Sequence, residues 1–427
     1  METICALASA PGRAGVAVIR VSGPSAFDVA RQLAGTIPTP GQHRVRALRD
    51  RAGTLLDRGL VLTFAAPNSF TGEDVVELQV HGSTASVRAV LEALQEHPGV
   101  RLAEAGEFTK RALLNGRMDL MQVEGLADLI NAETQAQLTQ ALRTTEGQSS
   151  KAIESLRAHL VRAAALIEAT IDFVDEDVPV DVMPEVLDLL GEADRQLSDL
   201  LQGIGAAERV RDGFEVAIVG PPNVGKSTLL NFLAGRSAAI TSEIAGTTRD
   251  VIEVRMEIGG LAVTLLDTAG IRDSDDVIEA QGVELAVQRA ARADLRLFIG
   301  ADERWRRVEV KDGDVLLEPK DDLGELPNGI SGRTGAGIPR LLKAVEKELS
   351  SRVADAGLAS RDRHRVALKK ARGALTVARA SIDLGGDSAD MASEDLRFAI
   401  GQLESVIGRI GVEDLLDEIF SSFCIGK

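Results

Sequence analysis

The strongest constraint on the fold of this chain is a phosphate-binding loop at residues 220–227, which matches G-x-x-x-x-G-K-[ST] at every fixed position. The apolar run 214–219 before it predicts a buried strand, and residues 228–233 after it predict the first turns of a helix. In this setting backbone N–H groups close around phosphate oxygens, and the helix dipole adds positive charge. Lys226 is expected to reach the β- and γ-phosphates, and Ser227 to bind Mg²⁺. A glycine-rich surface turn is the alternative.

The segment that follows a second strand-like run, 262–266, matches the D-x-x-G pattern of GTPases. Its Asp267 is expected to support Mg²⁺ from the second shell of ligands, and the Gly270 N–H to meet the γ-phosphate. Residues 245–250, A-G-T-T-R-D, form a polar loop in the place of a first switch, and Thr248 is predicted to complete the Mg²⁺ shell. For this loop alone, a solvated connection would be an equal alternative.

Recognition of guanine usually rests on N-K-x-D after a strand, and here residues 319–322 read P-K-D-D. Asp322 can accept hydrogen bonds from the guanine N1–H and N2–H₂ groups, and Lys320 can lie along the base. Pro319 stands where asparagine is expected and has no side-chain donor or acceptor, so one contact is missing. Ser331-Gly332-Arg333 is similar to the S-A-K loop that lies behind the base, with an ordinary glycine-rich turn as the alternative.

Hydrolysis needs a group that orients water, and Ile271, directly after D-x-x-G, cannot do so. Residues 272–284 are acidic without a clear apolar period, which predicts a mobile switch. Spacing alone does not choose among its candidate acids, most of which we expect to be only solvated: Asp273, Asp275, Asp276, Glu279 and Glu284.

Composition bounds the function classes. The length of 427 residues predicts two or three domains, and the net charge of −17 disfavours a surface that coats DNA, although local basic patches remain open. Cys5 and Cys424 lie far apart, which favours a reducing cytoplasm over a disulfide framework. The histidines show no metal-ligand spacing, and we see neither a leader peptide nor an apolar stretch long enough for a membrane.

The chain divides into four predicted segments. Residues 1–117 mix strand-like runs at 16–21, 59–64 and 75–80 with a helical run at 85–95. Residues 118–209 are rich in long amphipathic helices, 210–357 carry the nucleotide motifs, and helical character returns in 358–427. The simplest architecture is a nucleotide domain inserted into a helical domain that both flanks build.

Several uncommon strings, in the right order, make the chain resemble the tRNA modification GTPases called MnmE or TrmE, and this resemblance covers essentially the whole sequence. The strings are P-G-R-A-G at 11–15, I-R-V-S-G-P at 19–24, S-F-T-G-E-D at 69–74, A-G-E-F-T-K-R-A at 105–112, A-G-T-T-R-D at 245–250 and F-C-I-G-K at 423–427.

The resemblance implies a multidomain α/β fold with an N-terminal α+β folate-binding and dimerisation domain, a discontinuous all-α helical domain and an inserted Ras-like G domain. It implies a homodimer that forms a heterotetramer with an FAD-containing partner similar to MnmG (GidA). Together they would add an aminomethyl-type group (carboxymethylaminomethyl) to C5 of wobble uridine 34 in certain tRNAs. The one-carbon unit would come from 5-formyl- or methylene-tetrahydrofolate, and the amine from glycine or ammonium.

The family's folate contacts match Arg20, Glu77, Arg117 and Lys427, with arginine for the more usual lysine at 117. Without the resemblance, surface ion pairing would be the better interpretation of the first three, and a frayed end that of Lys427. The resemblance also implies that Glu279 orients water and that K⁺ takes the place of an arginine finger. The K⁺ ligands would be Asn223, Ser242, Ile244 and Thr247.

The complete predicted GTP site comprises Asn223, Val224, Gly225, Lys226, Ser227, Thr228, Ser242, Thr247, Thr248, Asp267, Gly270, Lys320, Asp322, Ser331, Gly332 and Arg333. We therefore expect a cytoplasmic GTP hydrolase that uses Mg²⁺ and K⁺ in tRNA modification. Two alternatives remain: a ribosome-assembly GTPase, which the acidic charge and the lack of a GXXG RNA module disfavour, and a folate-dependent one-carbon transferase with a vestigial G domain.

Overall fold

A computed structural model describes residues 2–172, 182–221, 223–235, 253–267, 287–300, 308–354, 356–384, 389–410, 419–420, 423 and 426. The chain separates into two compact units, which are described in turn. The first combines Met1–Ala127 with Glu404–Lys427, and the second is Asp128–Leu403.

The first unit contains a six-stranded sheet in the order β3-β4-β5-β2-β1-β6. Its strands are antiparallel except for β1 and β6, which run parallel. Their bounds are β1 Thr3–Leu7, β2 Ala14–Ser22, β3 His43–Arg49, β4 Leu55–Phe64, β5 Val75–Gly82 and β6 Val100–Leu102. The helices are α1 Ala26–Ala34, α2 Thr84–Gln95, α3 Glu107–Leu114 and the first part of α4 Leu120–Asn131.

Alternation along the strands explains this layer of sheet and helices. In β5 the side chains of Val76, Leu78 and Val80 are buried, whereas Glu77 between them lies on the other face and is only half-buried. Helices α1 and α2 cover the apolar face with Val29, Leu33, Val90 and Leu94. The strands predicted at 16–21, 59–64 and 75–80 and the helix predicted at 85–95 are confirmed.

The helical part of the second unit contains α5 Gln135–Thr145, α6 Gln148–Asp172, α7 Met183–Asp212, α10 Asp362–Leu384 and α11 Ala389–Ile407. The apolar spacing seen in the sequence forms the buried stripe of α6, where Leu156, Leu160, Ala163 and Ile167 are all essentially inaccessible to solvent. Helix α7 packs against both α6 and α10.

The same unit holds a second six-stranded sheet, in the order β12-β11-β10-β7-β9-β8. All neighbours are parallel except β8 and β9. The strands are β7 Phe214–Val219, β8 Glu253–Ile258, β9 Leu261–Asp267, β10 Leu295–Ile299, β11 Val315–Pro319 and β12 Gly329–Ile330, with helices α8 Lys226–Ala234 and α9 Ile338–Val353. Because parallel strands end at one edge, the carboxyl ends of β7, β9, β11 and β12 meet there, which is where ligands bind in such sheets.

Across the described parts of the chain, no helix is both long enough and apolar enough to cross a membrane.

Candidate nucleotide and one-carbon sites

The phosphate-binding loop connects β7 to α8 with a backbone that only certain residues adopt. Gly225, the residue before α8, has φ +112°, and Asn223 has φ +60°, a conformation that asparagine tolerates better than most residues. A Cβ atom at Gly220 would lie 2.3 Å from the Ile299 carbonyl oxygen. The glycines of the motif are therefore required by close approach and by backbone conformation.

Lys226 is 5% exposed, and its ammonium group lies inside the loop. The Nζ atom donates hydrogen bonds to the carbonyl oxygens of Gly220 at 2.9 Å and Pro221 at 3.0 Å. These bonds hold the ammonium group inside the loop, where a phosphate enclosed by the loop would lie beside its positive charge.

The hydroxyl of Ser227 donates a hydrogen bond of 2.7 Å to Oδ2 of Asp267, at the end of β9. Asp267 is 4% exposed, and its other oxygen, Oδ1, is buried without a hydrogen-bond partner among the described residues. A hydroxyl and an unsatisfied carboxylate oxygen are hard donors of the type that Mg²⁺ prefers. These two side chains therefore fit a Mg²⁺ site that the phosphates of a nucleotide would complete.

A cavity of about 290 Å³ adjoins the loop at the carboxyl edge of the sheet. It is large enough for the base and sugar of a nucleotide. Its lining comes from the phosphate-binding loop, the first turn of α8, the ends of β10, β11 and β12, and the loops that follow the last two strands: Asn223, Val224, Gly225, Thr228, Leu229, Ile299, Pro319, Lys320, Asp322, Ile330, Ser331, Gly332 and Arg333.

The two adjacent aspartates after β11 have different environments. The Asp321 carboxylate is buried and accepts backbone N–H groups of Gly324, Glu325 and Leu326 at 2.9 to 3.1 Å. The Asp322 carboxylate instead lines the cavity and accepts the Ser331 hydroxyl at 2.6 Å. Of the two, Asp322 is therefore the one placed to read a base.

The 331–333 loop approaches the first turn of α8 so closely that a side chain at its centre is excluded. A Cβ at Gly332 would lie 2.6 Å from the Leu229 nitrogen. Lys320 lines the same cavity with an exposed side chain and has φ +61°, in the left-handed region. Such a conformation costs free energy for a lysine, so it is consistent with a site that requires this backbone geometry.

In the first unit, Arg20 and Glu77 lie directly opposite each other on β2 and β5. The Arg20 Nε and Nη2 atoms lie 3.0 and 2.9 Å from Oε1 of Glu77. The guanidinium group also lies over the rings of Phe70 and Phe108, at 5.1 and 5.7 Å from their centroids. This combination of two opposite charges and two aromatic rings suits a planar ligand that carries both donors and acids.

The C-terminal segment of the chain completes this unit. Phe420 and Phe423 pack with Leu120 and Val123, and the centroids of the two phenylalanine rings are 5.6 Å apart. Gly426 lies so close to β1 that a Cβ there would be 2.1 Å from the Leu7 carbonyl oxygen. Gly426 therefore lies against β1, and β1 is the neighbour of β2, the strand that carries Arg20.

Comparison with known proteins identifies the family. Residues 3–117 match the family described as the GTP-binding protein TrmE N-terminus, and residues 120–424 match the MnmE helical domain. Proteins named tRNA modification GTPase MnmE from Roseobacter denitrificans and Ruegeria pomeroyi are 56% and 57% identical, each over 100% of both chains.

The chain belongs to the MnmE family of tRNA modification GTPases. It is therefore a GTP-binding hydrolase, in agreement with the sequence prediction. Among solved structures, a variant of Era from Aquifex aeolicus is 28% identical and covers 38% of this chain and 66% of that one, with a TM-score of 0.27.

Not every residue predicted for the MnmE-type sites can be located. The described residues place Asn223, Val224, Gly225, Lys226, Ser227, Thr228, Asp267, Lys320, Asp322, Ser331, Gly332 and Arg333 around one edge of the second sheet. The predicted residues that lie outside the described part of the chain are Ser242, Ile244, Thr247, Thr248, Gly270, Glu279 and Lys427. Arg117 is exposed and lies beside Gly72, where an added Cβ atom would be 3.2 Å from the Arg117 Cγ atom.

Sequence reasoning missed a buried ionic network of the first unit that stabilises the MnmE-type segments 69–74 and 105–112. Arg111 is 5% exposed and donates to Glu73 at 3.0 Å and to Glu107 at 2.9 Å. Glu73 also accepts the Ser22 hydroxyl at 2.7 Å. The sequence contains one indication of this network, which is the high density of charged residues within segments 69–74 and 105–112.

Glu107 is the most strongly perturbed acid of this network. Burial opposes its ionisation, but hydrogen bonds from Arg101, from the Glu104 N–H and from Arg111 outweigh burial and lower its pKa to about 2. The network joins α3 to the 69–74 loop, and the lowered pKa keeps Glu107 ionised within it at neutral pH.

Proposed function

We propose that this chain hydrolyses GTP, with Mg²⁺ and K⁺, to drive a conformational change during modification of C5 of uridine 34 in tRNA. The observation that carries the proposal is the unsatisfied Asp267 Oδ1 beside Ser227, at the edge where Lys226 is buried. These groups supply positive charge and metal ligands at the position that a nucleoside triphosphate occupies in a strand–loop–helix motif.

In this proposal, each residue of the nucleotide site has a separate task. Lys226 binds the phosphates, and Ser227 and Thr248 hold a Mg²⁺ ion, which neutralises phosphate charge when bound. Asp267 supports the ion indirectly, through its hydrogen bond with Ser227. Asp322 binds the Watson–Crick edge of guanine, and Gly332 offers its backbone N–H. Glu279 orients the attacking water. Asn223, Ser242, Ile244 and Thr247 would bind K⁺ in the place of an arginine finger.

The one-carbon site would lie in the first unit. A reduced folate has a planar ring with amide and amine groups and a tail of carboxylates. Glu77 can accept the ring donors, while Arg20 and Arg117 can pair with the acids. Arg20 and Glu77 now satisfy each other at 2.9 Å, so a ligand would have to insert between them or bridge them. Gly426 beside β1 supports the contribution of Lys427, the next residue.

The assembly that we propose has the layout of the MnmE relatives. The first domain (1–117) forms a homodimer, 118–209 and 358–427 form a discontinuous helical domain, and the G domain (210–357) is inserted between them. An FAD-containing protein similar to MnmG would join it in a cytoplasmic heterotetramer. The tetrahydrofolate derivative, 5-formyl or methylene, would supply the carbon.

Nucleoside analysis of tRNA from cells with and without this protein tests the proposal. We expect the modified uridine 34 to disappear without the protein and to return with the parent chain but not with Lys226→Ala. Unchanged uridine 34, together with altered ribosomal subunit profiles, would favour a ribosome-assembly GTPase. Full restoration by Lys226→Ala would favour a one-carbon transferase with a vestigial G domain. Lys343→Ala, the same substitution at an exposed lysine of α9 in the second unit, serves as the matched control.

A further inference from the structure

Helix α10 carries a stripe of cations along one face. Four cationic residues and one threonine recur at intervals of three and four residues, so they lie above one another along the helix. They are Arg365, Lys369, Arg372, Thr376 and Arg379. Residues 361–379 contain seven arginines and lysines and one aspartate, in a chain whose net charge is −17. At 1.5 Å per residue the stripe is about 21 Å long.

The middle of this stripe borders a wide groove between α7 and α10. The groove has a volume of about 800 Å³ and is lined by Ser198, Leu201, Gln202, Lys369, Arg372, Gly373 and Thr376. Gly373 forms an open floor, since a Cβ placed there would meet no atom within 4 Å. Hydroxyl groups, an amide, two cations and an uncovered helix backbone are therefore presented on one concave surface.

Acidic residues of neighbouring turns neutralise only part of the stripe. Arg365 pairs with Glu208 and with Asp362, and Arg372 Nε lies 2.8 Å from Asp194 Oδ1. Within the described ranges, neither Lys369 nor Arg379 has an ion-pair partner, and both side chains are exposed. Two uncompensated charges therefore remain, Lys369 in the groove lining and Arg379 about one turn beyond Thr376, with the Arg372–Asp194 pair between them.

We propose that this groove and stripe bind the phosphodiester backbone of the tRNA substrate, an inference that rests on the proposed function. A polyanion is the partner that matches a line of cations on an otherwise acidic protein. Among the residues that the structure describes, the groove lining contains hydroxyl, amide and cationic donors but no aromatic side chain on which a base could stack. It therefore contacts phosphates and sugars and positions the tRNA without reading its sequence.

The test compares tRNA binding by the full chain with Lys369→Gln/Arg379→Gln and with Lys343→Gln/Lys347→Gln. The control pair removes the same charge from exposed positions of α9. Affinity is measured by fluorescence anisotropy over a range of salt concentrations, beside GTP turnover and thermal unfolding. We expect the α10 variant to bind tRNA about tenfold more weakly. The slope of log affinity against log salt concentration should become shallower by about one to two, which corresponds to the loss of one or two phosphate contacts. The control should match the parent.

The proposal would be overturned if the α10 variant bound tRNA with the affinity and salt dependence of the parent chain. It would also be overturned if the α9 control lost as much tRNA affinity as the α10 variant, because that result would indicate a general effect of net charge. Weaker binding of the MnmG-like partner with unchanged tRNA binding would also overturn it and would assign the groove to an acidic protein. A parent chain that binds no tRNA, alone or with its partner, would contradict the proposed function itself. Lys369→Ala provides a second variant if the double change unfolds.

Discussion

Arg333 Nη2 lies 2.5 Å from Oδ2 of Asp322, whose carboxylate lines the cavity beside the phosphate-binding loop. Ser331 donates to the other oxygen, Oδ1, at 2.6 Å, so both oxygens are already engaged. Guanine would therefore have to displace or share these donors. Pro319 adds no donor of its own, which makes the 331–333 loop the main support of Asp322.

Replacing Arg333 with alanine should strengthen guanine nucleotide binding. The arginine side chain is 76% exposed, so its ion pair is weak, and we expect a gain of about two- to fivefold in affinity for GDP. Stopped-flow measurements with a fluorescent GDP analogue would show slower release, and Lys343→Ala would serve as the control. Weaker binding in Arg333→Ala would mean that the guanidinium contacts the bound nucleotide.

The neighbouring aspartates should respond in opposite ways to Asp→Asn substitution. Asp322→Asn should lose GTP affinity and gain affinity for xanthosine triphosphate, because the introduced asparagine amide can donate a hydrogen bond to the oxygen that xanthine carries in place of the guanine amino group. Asp321→Asn should keep the base preference but unfold more easily, by about 1–3 kcal/mol, because its carboxylate accepts three backbone N–H groups. Competition binding measures the base preference of each variant, and urea unfolding measures its stability. Unchanged GTP affinity in Asp322→Asn would refute the assignment of Asp322 to guanine binding.

Potassium and Glu279 should act at separate points of one reaction. An arginine finger contributes about 10³–10⁵ in rate, so exchanging K⁺ for Na⁺ should slow turnover by at least about tenfold. Asn223→Ala should lose the response to K⁺, and Glu279→Ala should lower kcat without weakening GTP binding. Equal turnover in both cations, with an active Glu279→Ala, would indicate that a partner supplies the catalytic group.

Deletion of residues 424–427 should abolish uridine modification while GTP turnover stays largely intact. Gly426 packs on the Leu7 backbone, and Lys427 is predicted to complete the folate site. The two readouts are nucleoside analysis and phosphate release, with Lys427→Arg as the charge-conserving control. Normal modification by the shortened chain would rule out this role for the segment.

The Glu107 network should make the first unit sensitive to acid. The pKa of Glu107 falls from the usual 4.5 to about 2 on folding. Ionised Glu107 therefore stabilises the unit fully above about pH 5.5, and this contribution disappears as the pH falls toward 2. Glu107→Gln should therefore cost on the order of 1–2 kcal/mol at pH 7 in urea unfolding, and less at pH 3. An equal cost at both values would show that the charge of Glu107 is not responsible.

The sequence predicted single elements better than relations between them. Strand β7 has the predicted bounds because a continuous apolar run ended by a glycine allows few other structures. Arg20 and Glu77 were both selected, but only the antiparallel register of β2 and β5 shows that they face each other. Register depends on long-range pairing, which a linear pattern does not contain.

Burial of charge was the least predictable property. Arg111 stands out in the sequence only as part of the 105–112 string, yet it is buried, because Glu107 one turn earlier on its own helix and Glu73 from the 69–74 loop neutralise it. In the same way, the sequence P-K-D-D does not reveal that the first aspartate caps a turn while the second faces the cavity. Such differences depend on where the neighbouring loops pack.

The packing of Phe420 and Phe423 against Leu120 and Val123 has a consequence for biosynthesis. The ribosome makes all of Asp128–Leu403 before it reaches the segment that completes the first unit. Until then, the apolar faces of Leu120 and Val123 lack these two partners, and a nascent chain that stops early cannot cover them. The second unit can thus be synthesised in full while the first still lacks these contacts, so the order of synthesis makes the first unit the last to be completed.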